Sequence, residues 1–175
     1  MDGHTIRDRE PADLDRCVAV LADVHRLDRY PLNWPAHPVR WLSPDNALHA
    51  WVAVTADDVV VGHVAVHRPE PPTGAASVAA ASTRVAEVGR LFVAPTARRH
   101  NLASRLLGEA RRWATERHRS LTLEIVDDPR SAAAIAVYER TGWQHTGTTT
   151  AGWTNPEGGP VRLRRYALGL SPESR

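Results

Sequence analysis

Arg98, Arg99 and His100 sit between Val93-Ala94-Pro95-Thr96-Ala97 and Asn101-Leu102-Ala103-Ser104. A strand-like run ends there, the chain turns, and a long helical pattern begins. The first turn of a helix carries free main-chain N–H groups and a partial positive charge. Such a turn binds phosphate without side-chain help, and two arginines and a histidine add donors around it. A diphosphate-bearing ligand is the natural reading; a surface turn with incidental arginines is the alternative. Two carboxylates also stand out. Glu87 begins the strand leading into this turn, and Glu124 lies in Leu123-Glu124-Ile125 on a later one. An acidic side chain inside a mostly apolar strand is uncommon, so each has weight as a proton acceptor. The plainer alternative is that one faces solvent or pairs with Arg90.

The elements that must hold these residues follow from periodicity. Thr5 to Arg9 fits a short first strand, and Pro11 opens a helix whose Leu14, Cys17, Val18, Leu21 and Val24 keep three-four spacing. From His25 to Ser43, prolines 31, 35 and 38 limit any helix to short pieces. His49 to Ala56 and Val59 to His67 read as a hairpin around Asp57-Asp58. Arg68 to Ala86, rich in Pro, Gly, Ser and Ala, reads as a long loop with no assigned chemistry. Glu87 to Val93 is a buried strand. The helix after the turn carries Leu102, Ala103, Leu106, Leu107, Ala110, Trp113 and Ala114 on one face. Leu121 to Val126 is the next strand. Asp128-Pro129 caps and opens a helix that stops at Gly142. Trp143 to Ala151 and Val161 to Leu168 pair as the last strands. Strand, helix, strand, helix in the middle implies parallel neighbours joined by a crossover.

Composition bounds the function. The chain has 175 residues, suited to one domain over 1–175, with 22 basic and 20 acidic residues and a net charge of +2. That balance argues against nucleic acid as the main partner. A single cysteine, Cys17, excludes an internal disulfide framework and leaves little room for a Cys-based metal site. Nine scattered histidines show no ligand spacing, so no metal is expected. Met1-Asp2-Gly3-His4 lacks the form of a signal peptide, and no apolar run reaches about 18 residues. A cytoplasmic protein without a membrane partner, monomeric or homodimeric, is the expectation.

Arg98-Arg99-His100-Asn101-Leu102-Ala103 resembles motif A of the GNAT superfamily of N-acetyltransferases: Arg or Gln, two residues, Gly, one residue, Gly or Ala. Asn101 replaces the usual Gly, and Asn is among the residues most tolerant of positive φ. Leu91-Phe92-Val93-Ala94-Pro95 is similar to the family's strand and following proline. Ser131 to Trp143, with Val137-Tyr138-Glu139-Arg140 and Gly142-Trp143, is similar to its later motif, Ser131 replacing the usual Asn. The cofactor motifs thus span residues 87–143.

The resemblance implies a mixed central sheet of six to seven strands with about four helices, and acetyl-CoA as cofactor. The pantetheine arm would pair with the backbone at Leu91 and Val93, and the pyrophosphate would lie over Arg99 to Ser104. Tyr138 would protonate the departing thiolate. The acceptor amine must be neutral to attack. A lysine-type amine with pKa about 10.4 is free only about once in 2,500 at pH 7, a penalty of roughly 4.6 kcal/mol. That favours a general base: Glu124, Glu87, a histidine, or water alone. The family's acceptor pocket corresponds to His25 to Trp41 and Trp153, where Tyr30, Trp34, His37 and Trp41 form an aromatic wall or simply pack a proline-rich segment. A small amine, an amino-acid-like metabolite or a peptide amino terminus is the expected acceptor. The alternatives are a protein amino-terminal acetyltransferase and a non-catalytic acyl-CoA sensor.

Overall fold

The computed structural model describes residues 3–70 and 84–169. Most of the long loop expected from Arg68 to Ala86 lies outside them, as do Met1 and Asp2. Seven strands form one mixed sheet: β1 (His4–Asp8), β2 (Ala47–Thr55), β3 (Val60–His67), β4 (Val85–Val93), β5 (Ser120–Val126), β6 (Gln144–Thr154) and β7 (Pro160–Leu168). Their spatial order is β1-β2-β3-β4-β5-β7-β6. Among the described strands only β4 and β5 pair in parallel, joined by the helical crossover that the sequence pattern demands. Among the described residues there are four α-helices, α1 (Leu14–Asp28), α2 (Pro38–Leu42), α3 (Leu102–Glu116) and α4 (Ala132–Arg140). The expected single α/β domain and strand count are borne out, with element ends shifted by one to three residues.

Two hydrophobic clusters sandwich the sheet. Under one face, Leu102, Leu106, Leu107, Ala110, Trp113 and Ala114 of α3 pack with Val64, Val66, Ala86, Val88, Leu121 and Leu123, and with Tyr138 of α4. Over the other, Cys17, Leu21 and Val24 of α1 and Leu42 of α2 pack with Val52, Val54, Val60 and Phe92. The proline-rich segment gives one five-residue helix, as proline chemistry requires.

β4 changes phase along its length. Ala86 and Val88 face the α3 side, but beyond the register shift against β3 it is Leu91 and Val93 that do so, while Phe92 joins the α1 side. The extra residue is taken up where Arg90 adopts left-handed geometry, φ 54°. This is a β-bulge.

Candidate functional site

β4 and β5 pair only from Val85–Ser120 to Val88–Leu123. β4 then runs on to Val93 and β5 to Val126 without further ladder pairing. A wedge therefore opens between Gly89–Val93 and Glu124–Val126. The Ala94 N–H donates to the Val61 carbonyl of β3 at 2.7 Å. Strand alternation then turns the main-chain groups of Val93 and Leu91 the other way, into the wedge. Unpaired strand edges accept an extended ligand.

The turn beyond the wedge has the form expected of an anion cradle. Arg99 (φ 69°) and Asn101 (φ 56°) are both left-handed, and no side chain caps the start of α3. The first-turn amides of Leu102, Ala103 and Ser104 thus lack a side-chain acceptor. Leu102 gives its side chain to the core, so only its main chain faces the turn. No acidic residue lies in the first turn. Arg98 is committed differently: its guanidinium pairs with Asp28 at the end of α1. His100 packs against His4 with tilted rings, their centroids 4.9 Å apart. An extended thioester ligand carrying a diphosphate fits this donor set.

Glu87 lies opposite Thr122 in the parallel ladder, and Glu124 is two residues beyond Thr122. Both carboxylates consequently share the α1 face of the sheet, Glu124 at the mouth of the wedge. Burial raises the Glu87 pKa, repulsion from Glu124 adds to this, and Arg90 and Arg165 oppose it. Arg165 of β7 pairs with Glu124 at 2.8 Å, which settles the expected alternative of an Arg90 pair for that residue. The Arg90 guanidinium instead lies 4.6 Å from the Trp41 ring centroid, and its Nε donates to the Trp41 carbonyl.

Tyr138 is buried in the cluster under the opposite face, beside Trp143 and Tyr166 at centroid distances of 6.2 and 6.0 Å. Desolvation first, and the Tyr30 phenol second, push its pKa up. Ser131 precedes α4 and donates its N–H to the Asp128 carbonyl.

The aromatic residues divide. Tyr30 packs edge-on against Trp41, its phenol desolvated and its pKa pushed up to about 12. Trp34, tilted against the His25 ring, and Trp153 are exposed. Asn33 Nδ2 donates to the Thr154 carbonyl at 2.8 Å, so the α1–α2 loop and the β6 tip meet beside these two rings.

Sequence reasoning missed His63 and His67, both buried on β3. Burial holds each neutral, with pKa about 3 and about 4 respectively. His67 lies opposite Glu87 in the β3–β4 ladder, and its Nε2 has no hydrogen-bond partner among the described residues. The signal was present: 63, 65 and 67 alternate in a strand that is otherwise nearly all valine and alanine, so two polar rings line one face.

Residues 20–143 match the acetyltransferase (GNAT) family. Comparison with curated proteins finds no match. Among solved structures, the chain is similar to an N-acetyltransferase from Staphylococcus aureus Mu50, with TM-score 0.75, 19% identity, and 96% of this chain and 99% of that chain covered. It is also similar to the ribosomal-protein-S18-alanine N-acetyltransferase of Escherichia coli, with TM-score 0.70, 18% identity, and 98% of each chain covered. A third is a Salmonella typhimurium protein solved with its cofactor acetyl-CoA, with TM-score 0.71, 17% identity, and 99% and 97% covered. At these identities the likeness is one of fold.

Proposed function

The chain belongs to the acetyltransferase (GNAT) family, and we propose that it moves the acetyl group of acetyl-CoA onto a primary amine of a small molecule by direct attack. One observation carries this reading: the unpaired wedge between β4 and β5 opens beside the uncapped start of α3.

Acetyl-CoA supplies an activated acyl carbonyl and a thiolate leaving group. Leu91 and Val93 hold the extended arm through their main-chain groups, and a wedge amide polarises the acyl oxygen. Arg99, His100, Asn101, Leu102, Ala103 and Ser104 hold the diphosphate, largely through main-chain N–H groups. Arg98 steadies the turn through Asp28, and Ser131 borders the same cofactor groove. Glu87 takes the ammonium proton, directly or through water, its raised pKa bringing it nearer neutrality. Glu124 stands at the wedge mouth as the alternative base. Tyr138 delivers a proton to the departing sulfur from the other face.

The Asn33–Thr154 bond supports a small acceptor over a protein amino terminus, because it joins the two segments that flank the acceptor side. Trp34 and Trp153 provide apolar faces there, with Tyr30 behind them. Among the described residues no helix is long and apolar enough to cross a membrane. The buried thiol of Cys17 suits a reducing cytoplasm.

The test is thiol release from acetyl-CoA against a panel of amines, beside calorimetry with acetyl-CoA alone. Turnover above the no-amine background supports the transferase. Binding without turnover on any amine supports a sensor, and no binding removes the reading.

A further inference from the structure

β4 bulges where it parts from β5, and the bulge residue Arg90 is held at its guanidinium by Trp41 and at its main chain by the Tyr30 phenol and by His63. His63 lies on β3, register partner of Phe92, and is fully buried. Its Nδ1 lies 2.8 Å from the carbonyl of Arg90, the residue that carries the bulge. A carbonyl only accepts, so Nδ1 bears the proton and Nε2 is left with a lone pair. Nε2 meets a donor, Arg9 Nη1, at 2.9 Å. The same Nη1 donates to the Leu42 carbonyl at the end of α2, and Arg9 Nη2 donates to Ser43 Oγ. The imidazole also stacks nearly parallel on Phe92, with centroids 5.2 Å apart.

We infer that His63 is a positioning residue for acetyl transfer, holding the Arg90 carbonyl so that the β4 main chain beyond it stays turned into the wedge. The inference rests on the transferase reading for its catalytic consequence. Without the Nδ1–H bond, the left-handed turn at Arg90 loses a buried hydrogen bond, and the strand is freer to shift toward β5. The ring is suited to the task because it stays in one tautomer. Burial, with Arg9, His67 and Arg90 as charged or titratable neighbours, keeps it neutral.

Two variants separate positioning from packing. Both His63→Asn and His63→Gln remove the Phe92 stack. Asn places an amide donor where Nδ1 stood and retains the bond to Arg90. Gln places its polar atoms where Nε2 stood and retains only the Arg9 side. Acetyl-CoA affinity by calorimetry, turnover, melting temperature and hydrogen exchange over Gly89–Val93 are measured for both. We expect Asn to stay near wild type in affinity and exchange. Gln should lose roughly tenfold in affinity and in kcat, with faster exchange, at a similar melting temperature to Asn. Equal losses in the two variants, or losses that track melting temperature, overturn the inference. If the wild-type protein itself binds no acetyl-CoA, the transferase reading fails separately. Exchange in the unliganded variants still decides whether His63 holds the bulge.

Discussion

Glu87 and Glu124 stand on one face of the sheet, two ladder positions apart, and the negative charge of Glu124 adds to burial in raising the Glu87 pKa. This coupling has a direction that kinetics can read. Removing the Glu124 charge removes a repulsion, so the Glu87 pKa falls. Glu124→Gln should therefore move the acidic limb of kcat/KM to lower pH while leaving the plateau rate near wild type. Glu87→Gln should abolish that limb and lower kcat by about a hundredfold with a basic amine. A Glu124→Gln limb that stays in place refutes the coupling, and an acidic limb that survives in Glu87→Gln removes Glu87 as base.

Tyr138 differs from the glutamates in both face and environment. Burial raises its pKa, so it keeps its proton far into alkaline solution and remains a donor. Tyr138→Phe should lower kcat about a hundredfold with little change in acetyl-CoA affinity. It should also introduce sensitivity to the leaving thiol, visible with acyl donors of lower thiol pKa. An unchanged kcat removes the proton-donor role.

Asn101 is the departure from the family motif that the fold tolerates. It is left-handed, exposed, and makes no capping bond. Asn101→Gly should leave stability within about 0.5 kcal/mol, because no side-chain bond is lost. Acetyl-CoA affinity should improve, since nothing then projects over the helix start. Asn101→Val should cost about 1–2 kcal/mol, as a β-branched residue resists positive φ. Calorimetry and thermal melts check both. Weaker binding in the glycine variant would show that the Asn101 side chain contributes to the cradle.

What was legible in the sequence was whatever depends on local order. The apolar stripe of α3, the proline limits on α2 and the turn before Leu102 were all read from neighbouring residues. The wedge and the bulge were not, because they are defined by which strands stop pairing. A trace remained, however. The core-facing positions Ala86 and Val88 are even-numbered and Leu91 and Val93 odd, and that slip of one residue across Arg90 marks the bulge. By residue type alone Tyr30 and Trp41 read either as an acceptor wall or as packing for a proline-rich segment, and residue type could not show that the Arg90 guanidinium lies over the Trp41 ring. Arg98, read as a phosphate ligand, depends on Asp28 seventy positions earlier, a partner no local pattern could reveal.

Acid stability offers a test away from catalysis. Asp13 is buried, accepts from Arg7 at 2.7 Å, from Arg16, and from the Glu10 N–H at 2.8 Å. The Arg7 bond, ahead of the Glu10 amide and Arg16, holds its pKa well below the ordinary carboxylate range. A depressed carboxylate stabilises the fold above its unfolded pKa of about 3.9 and loses that contribution as pH falls toward the folded value. His63 acts in the same direction but at higher pH. Its folded pKa, about 3, lies below the unfolded value of about 6.5. Unfolded chains therefore take up the proton first, and stability declines as pH drops from about 6.5 toward 3. Wild-type melting temperature should fall in two stretches, one beginning near pH 6.5 and a steeper one below about pH 4. His63→Asn, neutral throughout, should make the first stretch shallower, the remainder belonging to His67 with its pKa of about 4, and keep the second. Asp13→Asn should lose about 3 kcal/mol at pH 7, since it leaves Arg7 and Arg16 without their buried partner, and should flatten the second stretch while keeping the first. Melts of the three proteins from pH 3 to 8 decide the matter: a first stretch as deep in His63→Asn as in the wild type would mean that the His63 imidazole is not what acid attacks.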